Sequence, residues 1–214
     1  MITKAVQLSV PESGASEPLG PEDVDAAYAG IAPRPRDNTR FRELEELTRI
    51  LETRSVYPVF QPILAFGTGE ILAYEGLIRG PETSSMHTPT KLFDAATRDG
   101  FLTELNMLCA RNVVRQFAKL DMKRQLFLNI TPQTVLEVKD DVQRITRFIR
   151  DCGLDIAQVT IELTENQLIT DRSIFRDALM LFRGAGFRVA LDDLGEGFSS
   201  LRLWSDLQPD FVKI

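Results

Sequence analysis

QVTIELTENQLITDRSIFRDALMLFRGAGFRVALDD, residues 158–193, holds a complete strand–helix–strand unit. QVTIEL (158–163) and FRVALD (187–192) are short runs dominated by apolar and β-branched residues, the composition of strands. Between them the pattern turns helical near 172–183 and stops at Gly184 or Gly186. Two strands joined through a helix of this length run parallel, because a tight turn can only reverse the chain. Runs this apolar are expected where both faces of a sheet are buried. The unit ends in an oddity: Asp192 and Asp193 put two adjacent carboxylates at the end of an apolar strand.

The same alternation extends outward. QLFLNI (125–130) is a strand, and Thr131-Pro132 opens a helix predicted to run towards Gly153. Residues 102–120 carry Leu102, Leu105, Cys109, Val113 and Phe117 at helical spacing. Thr88-Pro89 reads as an N-cap with the first helical residue, and Gly100 as a stop. YPVFQPILAF (57–66) and EILAYEGLIRG (70–80) are β-like and separated by Gly-Thr-Gly, so they pair as a hairpin. Beyond Asp193, a short helix is expected over 199–206, and DFVKI (210–214) begins one more strand. No glycine-rich phosphate loop of the dinucleotide or P-loop kind follows any strand, which favours a closed α/β barrel over an open nucleotide-binding sheet.

Ahead of the barrel, FRELEELTRILETR places Phe41, Leu44, Leu47 and Leu51 on one helical face. It reads as an amphipathic helix over 39–55 packing on the domain, with a partner-facing coiled helix as the alternative. Residues 1–38 hold five of the eleven prolines and scattered acidic residues, the composition of a disordered tail or linker. The barrel region is assigned to 56–214.

A chain of 214 residues can bury one substantial core. A net charge of −6 argues against broad binding to nucleic-acid polymers or anionic membranes, though not against a small anion on a local cationic cluster. No apolar run approaches the about 18 residues a spanning helix needs, and no signal peptide is evident. Cys109 and Cys152 form no CxxC pair and read as ordinary thiols of a reducing cytoplasm.

Polar residues fall at matching positions. Glu75 comes late in the second strand, Asn129 and Glu162 near the ends of the third and fourth, Asp192 and Asp193 at the end of the fifth, and Lys213 in the last. In an α/β barrel those ends share one face, where chemistry is built. Carboxylates gathered there repel, and each is pushed towards protonation unless cations intervene. The single histidine, His87, lies in a loop-like stretch, and there is no cysteine cluster, so zinc is disfavoured. An all-oxygen set suits Mg2+ or Mn2+, and paired aspartates allow a two-metal site. Arg79, four residues after Glu75, shares its strand face; spacing leaves open whether it grips a phosphate or closes a salt bridge. Lys213 could orient water or offset phosphate charge; a terminal lysine is otherwise a solvated surface residue.

FQPIL, EGLIR, LFLNITP, TIELTEN, ALDDLGEGFSSLRLW and PDFVKI together resemble, in order and spacing over 57–214, the EAL-domain cyclic di-GMP phosphodiesterases. The resemblance implies a modified TIM barrel whose first strand runs antiparallel to the rest, and hydrolysis of cyclic di-GMP to linear pGpG by metal-activated water. It implies that Glu75, Asn129, Glu162 and Asp192 surround one metal, with Asp192 bridging to a second that Asp193 completes. It also implies that Glu165 braces the loop after the fifth strand, Arg79 contacts a ligand phosphate, Gln61 lines a guanine pocket, and Lys213 stands near the catalytic water. A homodimer formed near 193–201 is a further implication. Three departures stand out. Gly76 replaces the usual alanine, an exchange expected to be harmless. Glu196 stands where the family has a small hydroxyl. The chain stops at Ile214, before two further strands that carry a catalytic glutamate and a guanine-pocket glutamine. The alternative reading is a catalytically inactive module that binds cyclic di-GMP or transmits a signal.

Overall fold

The computed structural model describes residues 38–164, 171–192 and 200–213. The predicted tail (1–38) lies outside them up to residue 37, as do Glu165, Asp193 and Glu196. The chain from Thr39 to Ile214 forms one compact unit.

Helix α1 (Asn38–Thr53) leads into it. Leu47 and Ile50 are fully buried and Leu44 and Leu51 half-buried, while Phe41 is exposed, so the predicted stripe packs on the domain only from its second turn onward. Strand β1 (Tyr57–Leu64) then pairs antiparallel with β2 (Ile71–Arg79), with Gln61 opposite Glu75. Most of β1 is exposed, because it stands at one end of the sheet order; Pro58 and Pro62 are tolerated there, where a missing N–H costs no ladder bond on the open side.

The remaining strands run parallel in sequence order: β3 (Gln125–Asn129), β4 (Val159–Thr164), β5 (Arg188–Asp192) and β6 (Phe211–Val212). Helix α2 (Pro89–Asp99) begins with proline and ends at Gly100, whose φ of 82° is the left-handed conformation that a residue with a Cβ resists. Helix α3 (Leu102–Lys119) buries Leu105, Cys109, Val113 and Phe117, the predicted stripe. The helix expected from Thr131 to Gly153 is instead broken. Helix α4 (Pro132–Val138) gives way to a 3-10 turn (Lys139–Asp141) and then to α5 (Val142–Asp151). Val138 and Asp141 adopt ψ near zero, and the break lets Val135 and Val142 both reach the core while the Lys-Asp-Asp run stays outside. Helix α6 (Arg172–Gly184) starts on an Asp171 side chain that accepts from the N–H groups of Ser173 and Ile174; α7 (Ser200–Leu207) precedes β6.

Strand alternation divides the apolar residues into two layers. Leu126, Leu128, Ile161, Leu163, Val189 and Leu191 face outward into the main helix-covered core. Ala73, Phe127 and Ala190 face the other side, with Ile63 and Phe211 against them, and the Phe127 and Phe211 rings stand 5.2 Å apart. This small inner cluster lies on the same side of the sheet as the polar strand ends. Gly76 sits on the outer side, where a Cβ would come within 2.2 Å of Val113 Cγ1. The methyl absent from the strand is thus replaced by one from α3.

Candidate active site

Parity along each strand brings the polar ends together. Ala73 and Glu75 share a face of β2, Phe127 and Asn129 a face of β3, and Ala190 and Asp192 a face of β5. Asn129 stands opposite Glu162, and the Lys213 N–H donates to Leu191 O at 2.8 Å, extending β6 alongside β5. The result is a cluster in which Lys213 Nζ donates to Glu75 Oε2 at 2.9 Å, to Asp192 Oδ2 at 3.0 Å and to Glu162 Oε1. Asn129 Nδ2 donates to Glu75 Oε1 at 2.7 Å. Glu162 is 1% exposed, and its Oε2 is buried without a hydrogen-bond partner.

The electrostatics follow. Burial, aided by the charges of Glu75 and Asp192, pushes the Glu162 carboxyl up to about 7 although its bond to Lys213 pulls the other way. Burial also works against the charge on Lys213. Its bonds to the three carboxylates outweigh that and hold the ammonium above the usual lysine value. Lys213, readable from sequence as a solvated terminal lysine, is therefore the cation at the centre of the acidic group. Among the described residues, no three His, Cys, Asp or Glu groups are spaced ready to hold a metal ion. The donor chemistry nevertheless fits a hard divalent cation: three carboxylates and a carboxamide, with one buried carboxylate oxygen left unpaired. Asp193 lies outside the described residues.

Arg79 is half-buried four residues beyond Glu75 on the same strand face, and its Nη1 donates to Ile78 O at 2.8 Å. It closes no ion pair with a carboxylate among the described residues, so the salt-bridge reading finds no partner there. Gln61 is exposed opposite Glu75 on β1. His87 stands apart from the site: Gly80 N–H donates to His87 O, and His87 Nδ1 lies 2.9 Å from Gly80 O, closing the loop after β2.

Sequence reasoning missed Asn106. This α3 residue is 1% exposed; its Nδ2 donates to Asn129 O at 2.8 Å and its Oδ1 accepts from Thr131 N–H at 2.9 Å. One carboxamide thus ties down the backbone on either side of Ile130, which sets where the Asn129 side chain starts. The signal was present: Asn106 is a carboxamide at i+4 from Leu102 and three residues before Cys109, on an otherwise apolar stripe.

Comparison with known proteins gives a family-model match described as EAL domain over residues 44–214. The chain is 28% identical over 167 residues to the probable cyclic di-GMP phosphodiesterase PdeB of Escherichia coli, covering 77% of this chain and 32% of that protein. It is 27% identical over 156 residues to the blue light- and temperature-regulated antirepressor BluF of Escherichia coli, covering 72% of this chain and 38% of that one. The chain therefore spans about a third of the length of these relatives. Among solved structures it resembles Klebsiella pneumoniae BlrP1 in complex with calcium and cyclic di-GMP, with a TM-score of 0.66 and 27% identity over 95% of this chain and 52% of that one. The same BlrP1 is also known as a manganese complex with cyclic di-GMP. The architecture is the α/β, TIM-like barrel of these structures, with its first strand antiparallel to the second. No helix among the described residues is long and apolar enough to cross a membrane.

Proposed function

The chain belongs to the EAL domain family, and from that premise we propose that it hydrolyses cyclic di-GMP to linear pGpG with Mg2+ or Mn2+ as cofactor. The observation that carries this reading is the convergence of Glu75, mid-strand on β2, with Asn129, Glu162, Asp192 and Lys213, at or near the carboxyl ends of the neighbouring strands, on one face of the sheet. Glu75, Asn129, Glu162 and Asp192 would hold one ion, with Asp192 and Asp193 holding a second. Bound there, the ions would lower the pKa of a water and neutralise charge on the phosphate.

The chain's own side chains supply the rest. The Arg79 guanidinium, free of carboxylate partners among the described residues, grips non-bridging phosphate oxygens. Gln61, on the same side of the sheet, contacts a guanine edge. Lys213 Nζ keeps its proton and holds the attacking water or a phosphate oxygen by hydrogen bond. Water oxygen bonds to phosphorus, the P–O3′ bond breaks, and the departing oxygen takes a proton, which leaves pGpG. Glu165, which lies outside the described residues, would by the family resemblance brace the loop after β5.

A second reading is a cyclic di-GMP-binding or signal-transmitting module without turnover. Two observations favour it. Lys213 Nζ sits among the three carboxylates and bonds to each, and one relative of similar identity is named as an antirepressor. Incubation with cyclic di-GMP and Mg2+ or Mn2+ separates the two. The first reading expects pGpG that disappears in Glu75→Ala; metal-independent binding without product establishes the second.

A further inference from the structure

A cleft of about 380 Å3 opens on the outer, helix-covered side of the sheet, and no side chain of the acidic cluster lines it. Leu128 and Ile161 form its floor, Met107 and Val114 of α3 one wall, and Ile145 and Phe148 of α5 the other. Protein interiors seldom leave apolar space larger than a water molecule. The polar groups here are also one-sided. Arg54, Arg111, Arg115 and Arg144 line the cleft against a single carboxylate, Asp141. None of the four closes an ion pair among the described residues. Glu52 and Glu104 stand in an adjoining depression that shares Arg54, Arg111 and Arg115, and they too are unpaired with them. The Arg115 guanidinium lies 5.2 Å above the Phe148 ring, which holds one cation at the boundary between apolar wall and solvent. In a chain of net charge −6, this cluster of cations runs against the overall field.

An apolar recess edged by arginines is complementary to a molecule with an aliphatic body and an anionic head. We infer that the cleft binds a medium-chain aliphatic carboxylate, its chain laid against Leu128 and Ile161 and its head group held by the arginines. Size sets the chain length: a water takes roughly 30 Å3 in the liquid, so the cleft accommodates about a dozen heavy atoms. A ten-carbon carboxylate has that many, whereas a two-chain phospholipid has far more. The inference does not depend on what the acidic cluster does.

The test is a calorimetric titration of the chain with decanoate below its micelle concentration, with 1-decanol and decyltrimethylammonium as comparison ligands. Saturable one-to-one binding of decanoate is expected, with the alcohol and the cation weaker by about tenfold or more, as the loss of a charge-assisted contact implies. Arg111→Glu combined with Arg115→Glu, two exposed positions, should weaken decanoate by a similar factor at unchanged melting temperature. Ala110→Trp, which fills the cleft from α3, should abolish binding while leaving turnover or binding of cyclic di-GMP unchanged. Should Ala110→Trp not fold, the charge-reversal pair decides alone. No saturation, equal affinity for decanol, indifference to the charge reversals, or capture only by phosphatidylglycerol vesicles would each overturn the proposal.

Discussion

Glu162 and Lys213 show how one buried pair can carry pH signatures of the same sign in different pH windows. With its carboxyl raised to about 7 from an ordinary 4.5, Glu162 holds a proton in the folded state that the unfolded chain has already lost. Its contribution to stability is therefore complete below about 4.5 and lost as pH rises towards about 7, on the order of 3 kcal/mol in all. Lys213, raised as well, contributes stability that persists until pH passes its elevated value. Thermal melts in chelator should accordingly decline between about pH 4.5 and 7 in the wild type, and the decline should flatten in Glu162→Gln; an unchanged slope in that variant removes Glu162 as its source. Gly76 makes a separate case. Adding the family's usual methyl would drive a Cβ into Val113, a stiff residue buried on α3, so the exchange is harmless only in the direction this chain took. Gly76→Ala should lose about 1–3 kcal/mol in denaturant melts, and Val113→Ala in the same chain should recover much of it.

At the scale of elements, α3 does more than cover the sheet. Asn106 connects this helix to the backbone at the end of β3, and Asn129 in turn donates to Glu75 on β2. Asn106→Leu leaves Asn129 O and Thr131 N–H without these partners and should cost about 1–3 kcal/mol of stability. If Asn106 positions Asn129 for an ion, Asn106→Asp and Asn106→Leu should also weaken Mn2+ binding by about 10–100-fold. That loss should vanish in an Asn129→Ala background, an outcome a purely structural role would not produce. The start of α6 offers a simpler check, since Asp171 caps two N–H groups. Asp171→Ala should lower stability by about 1 kcal/mol, read from the denaturation midpoint.

For the molecule as a whole, the sheet closes its acidic group with a residue 138 positions along the chain from Glu75. Lys213→Met would strip the cation from three carboxylates at once. In chelator the variant should melt well below the wild type, consistent with the about 3–5 kcal/mol lost when a buried ion pair is broken from one side. Saturating Mn2+ should restore more stability to the variant than it adds to the wild type. A variant as stable as the wild type in chelator would show that the ammonium does not hold the cluster together.

Much of this was legible in the chain itself. The alternation of strands and helices, the hairpin, Thr88-Pro89 with Gly100, and the polar residue at each strand end are local signals, carried by periodicity and by residues with restricted backbones. The break at Lys139–Asp141 was not legible, because a helix is interrupted there to let Val135 and Val142 reach one core, and that core is assembled from distant segments. The fit of Gly76 to Val113, the Asn106 clamp and the seat of Lys213 were settled only by tertiary structure. Sequence pattern specifies which face a side chain takes on its own strand or helix. How close two such faces approach depends on strand register and helix packing, which no local stretch encodes alone.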